Sequence, residues 1–453
     1  MSKLPSGWMA TPLENVADVI RGVTYDKKEA ISTPKDGYLP ILRATNIGAA
    51  LDLESQMVYV PQRYVKPTQR MRSGDIVVAA SSGSASVVGK SAQLRTEWEG
   101  GFGAFCAVVR PAAGMSAQYL AHFVAGPSVR RAWRDLAQGT NINNLKGADF
   151  AGTVIPIAPR PEQERIVAAI EEQFSRLEAA VEALRKARRL AQTWQTSVLD
   201  RSAAQLALSA PMRAVGDLAS LVTKGTTPTS VGFGFEAAGV RFVKVESLQD
   251  GRIIHDRCSA VSQMTHDALA RSQLAEHDVL VSIAGTLGTV ALVRAEDCPA
   301  NTNQAIALIR LKDPGYAGVL AAWLRGPVSQ RALRLGAKGV GMNNLTLQQI
   351  RDLEVPVASH HASTSFREVE AVTREIATSL VQTINQMTRR VSNLRAAILS
   401  AAFSGNLAPS DPADEPAKLL LDRIASQREA SKHNTPTRFR EPRRRRTKVT
   451  HER

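Results

Sequence analysis

Ile155–Phe174 reads IPIAPRPEQERIVAAIEEQF, and the pattern it opens runs to about Ala203. Apolar residues recur at Val167, Ile170, Phe174, Leu177, Val181 and Leu184, a 3-4-3-4-3 spacing that places one stripe on one helix face and predicts a coiled-coil seam. Pro161 suits a first helical turn, where its missing N–H is no loss, and Glu162 and Glu164 sit where the helix dipole favours acids. About 40 residues at 1.5 Å each make a rod of roughly 60 Å. Such a rod is first of all a spacer.

A second rod lies almost 200 residues further on. Its seam runs through Phe366, Val369, Thr373, Ile376 and Leu380, then Ile384, Met387, Val391, Leu394, Ile398 and Ala401, with a stutter at Leu380. Ile155-Pro156 precedes the first rod and Val355-Pro356 the second; His360-His361 reads as linker before the latter.

That match extends over the chain as an internal duplication. VIRG ending at Gly22 parallels LVTKG ending at Gly225, LPILRATNI (39–47) parallels VRFVKVESL (240–248), and SGDIVVAASSG (73–83) parallels EHDVLVSIAG (276–285). Arg110 falls against Arg310, Gly126-Pro127 against Gly326-Pro327, and Asn143-Asn144-Leu145 against Asn343-Asn344-Leu345, all at offsets of 200 to 203. Before each rod, Val/Ile/Leu runs are broken by Gly, Ser, Asn and Pro clusters, which predicts a mostly β head with one or two helices around 117–137 and 316–334. The fold class is α+β: two tandem heads from an internal duplication, each followed by a long helix that carries a coiled-coil seam. Each head is large enough to bury its own core.

The 453 residues are 44% hydrophobic and contain no apolar run near the roughly 18 residues of a membrane span. Met1 leads into SKLPSGWMAT without the apolar core of a signal peptide, so the expected location is the cytoplasm, away from any membrane. Three cysteines, Cys106, Cys258 and Cys298, are too few and scattered for a disulfide framework or a zinc site, and His255 with Cys258 lacks a paired ligand spacing. From Lys432 onward nine Lys/Arg face two Glu, so this short tail carries +7 of the net +15. It reads as a disordered, solvated terminus, with a non-specific phosphate grip by Arg443–Arg446 as the functional alternative.

GSASVVGKS (83–91) nearly spells a phosphate loop, but five residues separate its glycines where four are needed, and its repeat partner GTLGTVALV lacks the Lys-Ser. The sequence has no glycine-rich dinucleotide fingerprint, nucleophile elbow or HExxH.

The run Ile155-Pro156 … Pro161-Glu162-Gln163-Glu164-Arg165-Ile166-Val167, the same arrangement 200 residues on, and the ending RAAILSAAFSGNL (395–407) before DEPAKLLLDRI resemble the DNA-specificity subunit of type I restriction-modification systems. The resemblance covers the chain to about Arg428 and departs at HHASTSFREVE, which replaces the signature of the first rod. It implies target-recognition domains at 1–158 and 208–358, helical spacers at 159–207 and 359–405 that pair as an antiparallel coiled coil about a pseudo-two-fold axis, and a C-terminal short helix with the basic tail at 406–453. It also implies a non-catalytic subunit that binds double-stranded DNA, two modification subunits and restriction subunits. No cofactor is expected on this chain; S-adenosylmethionine, ATP and Mg²⁺ belong to the partners. The implied function is to read a bipartite, asymmetric target and to direct adenine N6 methylation and restriction. The alternative is a coiled-coil scaffold that binds only protein.

Base and phosphate contacts need polar groups on loops. In the first head the candidates are Thr24, Tyr25, Arg43, Thr45, Asn46, Ser81, Ser82, Ser84, Thr140, Asn141, Asn143 and Asn144. In the second they are Thr226, Thr227, Lys244, Glu246, Ser247, Ser282, Thr286, Lys338, Asn343 and Asn344. Gly, Ser and Asn also make turns, so Arg43 and Lys244, long basic side chains at equivalent strand ends, are the stronger candidates. On the rods, Arg185, Lys186, Arg188 and Arg189 read as a solvated face or a docking cluster, and Trp194, Val198, Leu199 and Leu206 as a modification-subunit interface.

Overall fold

The computed structural model describes residues 4–137, 143–336 and 344–433. They form two compact units, Met1–Glu182 with Thr388–Arg453, and Ala183–Met387.

The head of the first unit is built on a four-stranded antiparallel sheet in the order Ala17–Arg21, Cys106–Pro111, Ile76–Ala79, Ser91–Gln93. The two central strands read CAVVRP and IVVA, buried along almost their whole length, as strands covered on both faces must be. One face packs on helices Ala117–Val124 and Pro127–Leu136 through Tyr119, Leu120, Val129 and Trp133. The other packs on a three-stranded sheet, Val58–Pro61, Tyr38–Leu42 and Gly101–Phe102, whose last pair is parallel. Met9–Pro12 pairs with Val154–Ile157 and closes the head.

Two ties fix this frame. Arg110 forks onto the buried Asp75, Nε to Oδ1 and Nη2 to Oδ2, both at 2.7 Å. Gly22 crosses the Gly103 carbonyl so closely that a Cβ there would lie 2.0 Å from its oxygen.

The head of the second unit has a four-stranded antiparallel sheet in the order Ala219–Lys224, Ile306–Leu311, Val279–Ser282, Val290–Leu292. Its three-stranded sheet runs Ser259–Val261, Val240–Val243, Ala300–Thr302, the last pair again parallel, and Met212–Ala214 pairs with Glu354–Pro356. Arg310 forks onto the buried Asp278 with both bonds at 2.7 Å, and a Cβ on Gly225 would lie 1.9 Å from the Thr302 oxygen.

Two long helices, Arg160–Leu208 and His360–Phe403, contribute to both units and contact each other. In the first unit, Ile166 and Ile170 of the first helix share a core with Leu399 and Ala402 of the second, and Arg395 reaches Glu178 at 3.0 Å. In the second unit, Ala203 and Leu206 share a core with Phe366. Each contact joins the early part of one helix to the late part of the other, as antiparallel neighbours do. The stripe expected on the first helix, Val167 to Leu184, is buried or half-buried at every position.

The second helix departs from expectation. Phe366 and Thr373 of the expected seam are buried, joined on the inward face by Glu370 and Ala377, while Val369, Ile376, Leu380, Met387 and Leu394 of that seam are exposed. Glu370 sets this rotation, because its buried carboxylate takes a fork from Arg325, 3.0 Å on each oxygen, and a further bond from Arg374. His360-His361, expected as linker, is the first turn of the helix.

The glutamine of the PEQE run has a structural task. Gln163, fully buried, accepts the Ser116 N–H at 3.3 Å and donates to the Ala158 carbonyl at 2.9 Å, so it seats head on helix. Helix Ala417–His433 completes the first unit's core with Ala417, Leu420 and Ile424. Among the described residues no helix is long and apolar enough to cross a membrane.

Candidate nucleic-acid interface

In the first head, the strands Ala17–Arg21, Tyr38–Leu42 and Ile76–Ala79 lead into short turns that present polar groups. Thr24 is exposed beyond the Gly22 crossing, and Tyr25 packs its ring on the apolar cluster of Val23 and Leu39. The strand Tyr38–Leu42 ends in a 3₁₀ turn in which the Arg43 N–H donates to Asn46 Oδ1 at 2.9 Å. Arg43 itself is half-buried; its Nη2 donates to the Gln56 carbonyl at 2.7 Å and its buried Nε has no acceptor among the described residues. Thr45, between them, is exposed.

The third group is brought together by pairing. Ser81–Ser82 forms a two-residue ladder with Asn143–Asn144, Ser82 opposite Asn143 and Ser81 opposite Asn144, and the Ser81 hydroxyl bonds the Asn144 side chain. Ser84 is exposed at the adjoining turn, where its N–H donates to Ser82 Oγ at 3.1 Å. Leu145, fully buried, anchors the ladder through its N–H to the Ala80 carbonyl at 2.8 Å.

The second head repeats the turn chemistry with other residues. Thr226 accepts from Arg271 Nη2 at 3.2 Å, and the Thr227 hydroxyl bonds Gln304. The Lys244 ammonium lies 4.3 Å from the centre of the Phe235 ring, a cation–π contact. Glu246, Thr286 and Asn344 are exposed.

Some expected contacts lie inside the fold. Asn46 is buried, with its amide spent on the Ser55 carbonyl at 3.0 Å as well as on Arg43. Ser247 is buried and donates to the Arg257 carbonyl at 2.9 Å while capping the Lys244 N–H at 3.3 Å. Ser282 is buried and closes its own turn, donating to the Thr286 carbonyl at 2.5 Å and accepting from the Thr289 N–H at 2.8 Å. These three are framework residues: short polar side chains satisfy backbone groups at turns before they reach outward. Leu199 and Leu206 are likewise buried in the second unit rather than presented to a partner, whereas Trp194 is 39% exposed and Val198 half-buried. Thr140, Asn141, Lys338, Asn343 and the basic tail from 434 onward lie outside the described residues.

Sequence reading missed three side chains that shape these loops: Arg130, Arg271 and Phe235. Only an aligned copy of the head could have pointed to them, since none belongs to a local motif. The segment 83–91 is, as expected, a turn between the paired strands Ile76–Ala79 and Ser91–Gln93. Burial pushes the Cys106 thiol up to about 12, and it raises the Cys258 and Cys298 thiols as well, the opposite of what a metal-binding thiolate needs. His255 bonds Asp297 at 2.7 Å, and among the described residues no group of three or more His, Cys, Asp or Glu could hold a metal ion. A cavity of about 1140 Å³ between head and helix in the second unit is lined by none of the expected contact residues.

No protein-family model matches the chain. It is, however, 28% identical over 474 aligned residues to the type I restriction enzyme EcoKI specificity subunit of Escherichia coli K12, covering 95% of this chain and 97% of that one. Along nearly its whole length the chain is thus similar to the specificity subunits of type I restriction-modification systems. Part of it is more similar still to the StySPI specificity subunit of Salmonella potsdam, 40% identical over 197 residues that make up 44% of this chain and 42% of that one. Among solved structures, the HsdS subunit from Thermoanaerobacter tengcongensis shares the fold with a TM-score of 0.53 at 18% identity, over 89% of this chain and 98% of its own. A chain from a type I R-M system, solved for its complex assembly and conformational transition, reaches a TM-score of 0.63 at 18% identity over 90% of this chain.

Proposed function

We propose that this specificity subunit reads a split, non-palindromic DNA target, with residues 1–158 taking one half-site and 208–358 the other. The observation that carries this reading is the matched pair of heads. Both have the same sheet order, the same parallel pair, the same Arg–Asp fork and the same glycine crossing, which supports descent from one duplicated unit. Two such units in one chain give a pseudo-two-fold reader, and reading heads on one face of B-DNA recur at about one helical turn, roughly 34 Å, or a multiple. Because the loops differ in sequence, the half-sites differ too; the unread bases between them are counted by the long helices.

The specificity subunit is the non-catalytic member of its complex. The partners in this reading are two modification subunits, which carry S-adenosylmethionine and methylate adenine at N6, and restriction subunits that use ATP and Mg²⁺. Leu190 and Trp194 on the first helix and Val369, Val372, Ile376 and Leu380 on the second stay 39% to 59% exposed, and they form the apolar strip proposed to seat a modification subunit. In the first head the exposed contact set is Thr24, Thr45, Ser84 and Asn144 with Arg43 behind it; in the second it is Glu246, Thr286 and Asn344 with Lys244.

The test is a head exchange in the assembled methyltransferase. Replacing residues 1–158 by the corresponding head of another such subunit, one that also packs on its helix through apolar residues like Ile170 and Phe174, is expected to change one half of the methylated sequence and to leave the other half and the gap unchanged. A change in both halves, or in neither, refutes the assignment of one half-site per head.

A further inference from the structure

The turn after strand Ile76–Ala79 is held differently in the two heads. In the second, the hydroxyl of Ser282 sits inside the turn and bonds both the Thr286 carbonyl and the Thr289 N–H, at 2.5 and 2.8 Å. By the register of the Asp75 and Asp278 forks, the position of Ser282 is occupied in the first head by Ala79, which has no hydroxyl. There the Ser84 N–H on Ser82 Oγ closes the turn locally, and a second hold comes from outside: Arg130, on helix Pro127–Leu136, donates from Nη2 to the Ser86 carbonyl at 2.5 Å. Its stem lies against Gly89, where an added Cβ would meet Arg130 Cγ at 3.2 Å and the φ of +77° would strain any other residue. Its Nε is buried without an acceptor among the described residues, and burial draws the guanidinium below its usual pKa.

We infer that Arg130 is the positioning residue for first-half-site recognition: it fixes the exposed turn Ser82–Ser86 and thereby the Ser81–Ser82/Asn143–Asn144 ladder beside it. The inference rests on the reading of this turn as a DNA-contacting loop. A guanidinium on a main-chain carbonyl fixes where the turn lies while the hydroxyls of Ser84 and Ser86, 2.8 Å apart and exposed, stay at the surface to meet bases or phosphates. Gln330, the residue at the same place on the matching helix, donates to the Gly288 carbonyl at 2.7 Å, so the second head uses a neutral and shorter version of the same brace, added to its internal serine.

The experiment uses the complete subunit assembled with its modification partners, and measures methylation of DNA carrying both half-sites, or one half-site altered. Arg130→Ala is expected to lower discrimination at the first half-site on the order of 10-fold, about 1.4 kcal/mol, with discrimination at the second unchanged. Arg130→Gln, which restores an amide donor, should recover part of the loss, and Ala79→Ser in the Arg130→Ala background should recover more by rebuilding the internal serine brace. Full discrimination in Arg130→Ala, with the wild type discriminating at both half-sites, overturns the inference and leaves the proposed function standing. A wild-type complex that shows no discrimination at either half-site refutes the proposed function itself. Equal loss at both half-sites, or loss that neither Gln nor the Ala79→Ser change recovers, identifies Arg130 as a general stabiliser and overturns the positioning role.

Discussion

The two Arg–carboxylate forks make a quantitative comparison possible within one chain. Asp75→Ala removes a carboxylate that takes both bonds from Arg110 at 2.7 Å and also accepts the Arg72 N–H at 2.9 Å. Arg110 is only 11% exposed, so its charge is stranded among the Thr68 and Arg70 carbonyls. Stranding a buried charge costs about 3–5 kcal/mol. Asp278→Ala removes the matching carboxylate, but Arg310 is 39% exposed and can recover water, so the loss is that of charge-assisted bonds, about 2–3 kcal/mol. Against a domain stability of roughly 5–15 kcal/mol, both are large. Native-state hydrogen exchange on the full chain reads them separately, in the amides of Ile76–Ala79 and of Val279–Ser282. Asp75→Ala should raise opening of the first sheet by at least about 100-fold, Asp278→Ala that of the second by roughly 30- to 100-fold, each leaving the other sheet nearly unchanged. A larger effect from Asp278→Ala than from Asp75→Ala would refute the argument that exposure of the arginine, not the bond lengths, sets the cost.

Burial holds the His122 imidazole down at about 4 from an ordinary 6.5, a shift that nearby Glu171 opposes and Arg95 reinforces. The folded state therefore excludes the proton, so this contribution is complete above about pH 6.5, falls as pH drops towards 4, and is worth on the order of 3 kcal/mol. His122→Phe should remove that acid loss, seen as a smaller drop in the unfolding midpoint between pH 7 and pH 4 than in the wild type. Val372→Ser with Ile376→Ser, both on the exposed strip, should leave the melting temperature unchanged and weaken binding of the modification subunit by roughly 10- to 100-fold in a titration; unaltered affinity would remove the strip from the interface.

The first long helix was legible because its six stripe positions are all apolar and all turn inward or half-inward. The inward face of the second was legible only at Phe366 and Thr373, because hydrophobic periodicity passes over a charged residue and this face also contains Glu370. An ion pair with Arg325, 45 positions earlier in the sequence, rotated the helix away from its own stripe. The contact residues follow the same rule. Asn46, Ser247 and Ser282 carry the right chemistry for DNA, but each lies next to a backbone group that the turn leaves unsatisfied, and the local bond wins. What sequence could identify was the position of each turn, from the glycines and the repeat offset. Which of its polar groups face outward depends on the other side of the head.

That dependence bears on how a head can be exchanged. In the first unit the helix offers Ile170 and Phe174 to the head, Phe174 meeting the edge of His122 at 5.9 Å. Two hundred positions on, in the second unit, the same places are Glu370 and Arg374, bonded to Arg325, whose carbonyl also takes Arg374 Nη2 at 2.8 Å. The apolar junction gains by burial; the ionic one fixes geometry with little net gain. A head carrying the Arg325 type of junction, set on a helix with Ile170 and Phe174, would bury a guanidinium with no carboxylate to meet it, at a cost of about 3–5 kcal/mol. A graft cut at the head boundary therefore succeeds only between heads of like junction. One cut beyond Phe174, carrying the first four turns of its own helix, should fold whatever the junction chemistry. Loss of methylation in the short graft with recovery in the long one would show the junction to be the cause, whereas failure of both would place it in the contacts between the helices.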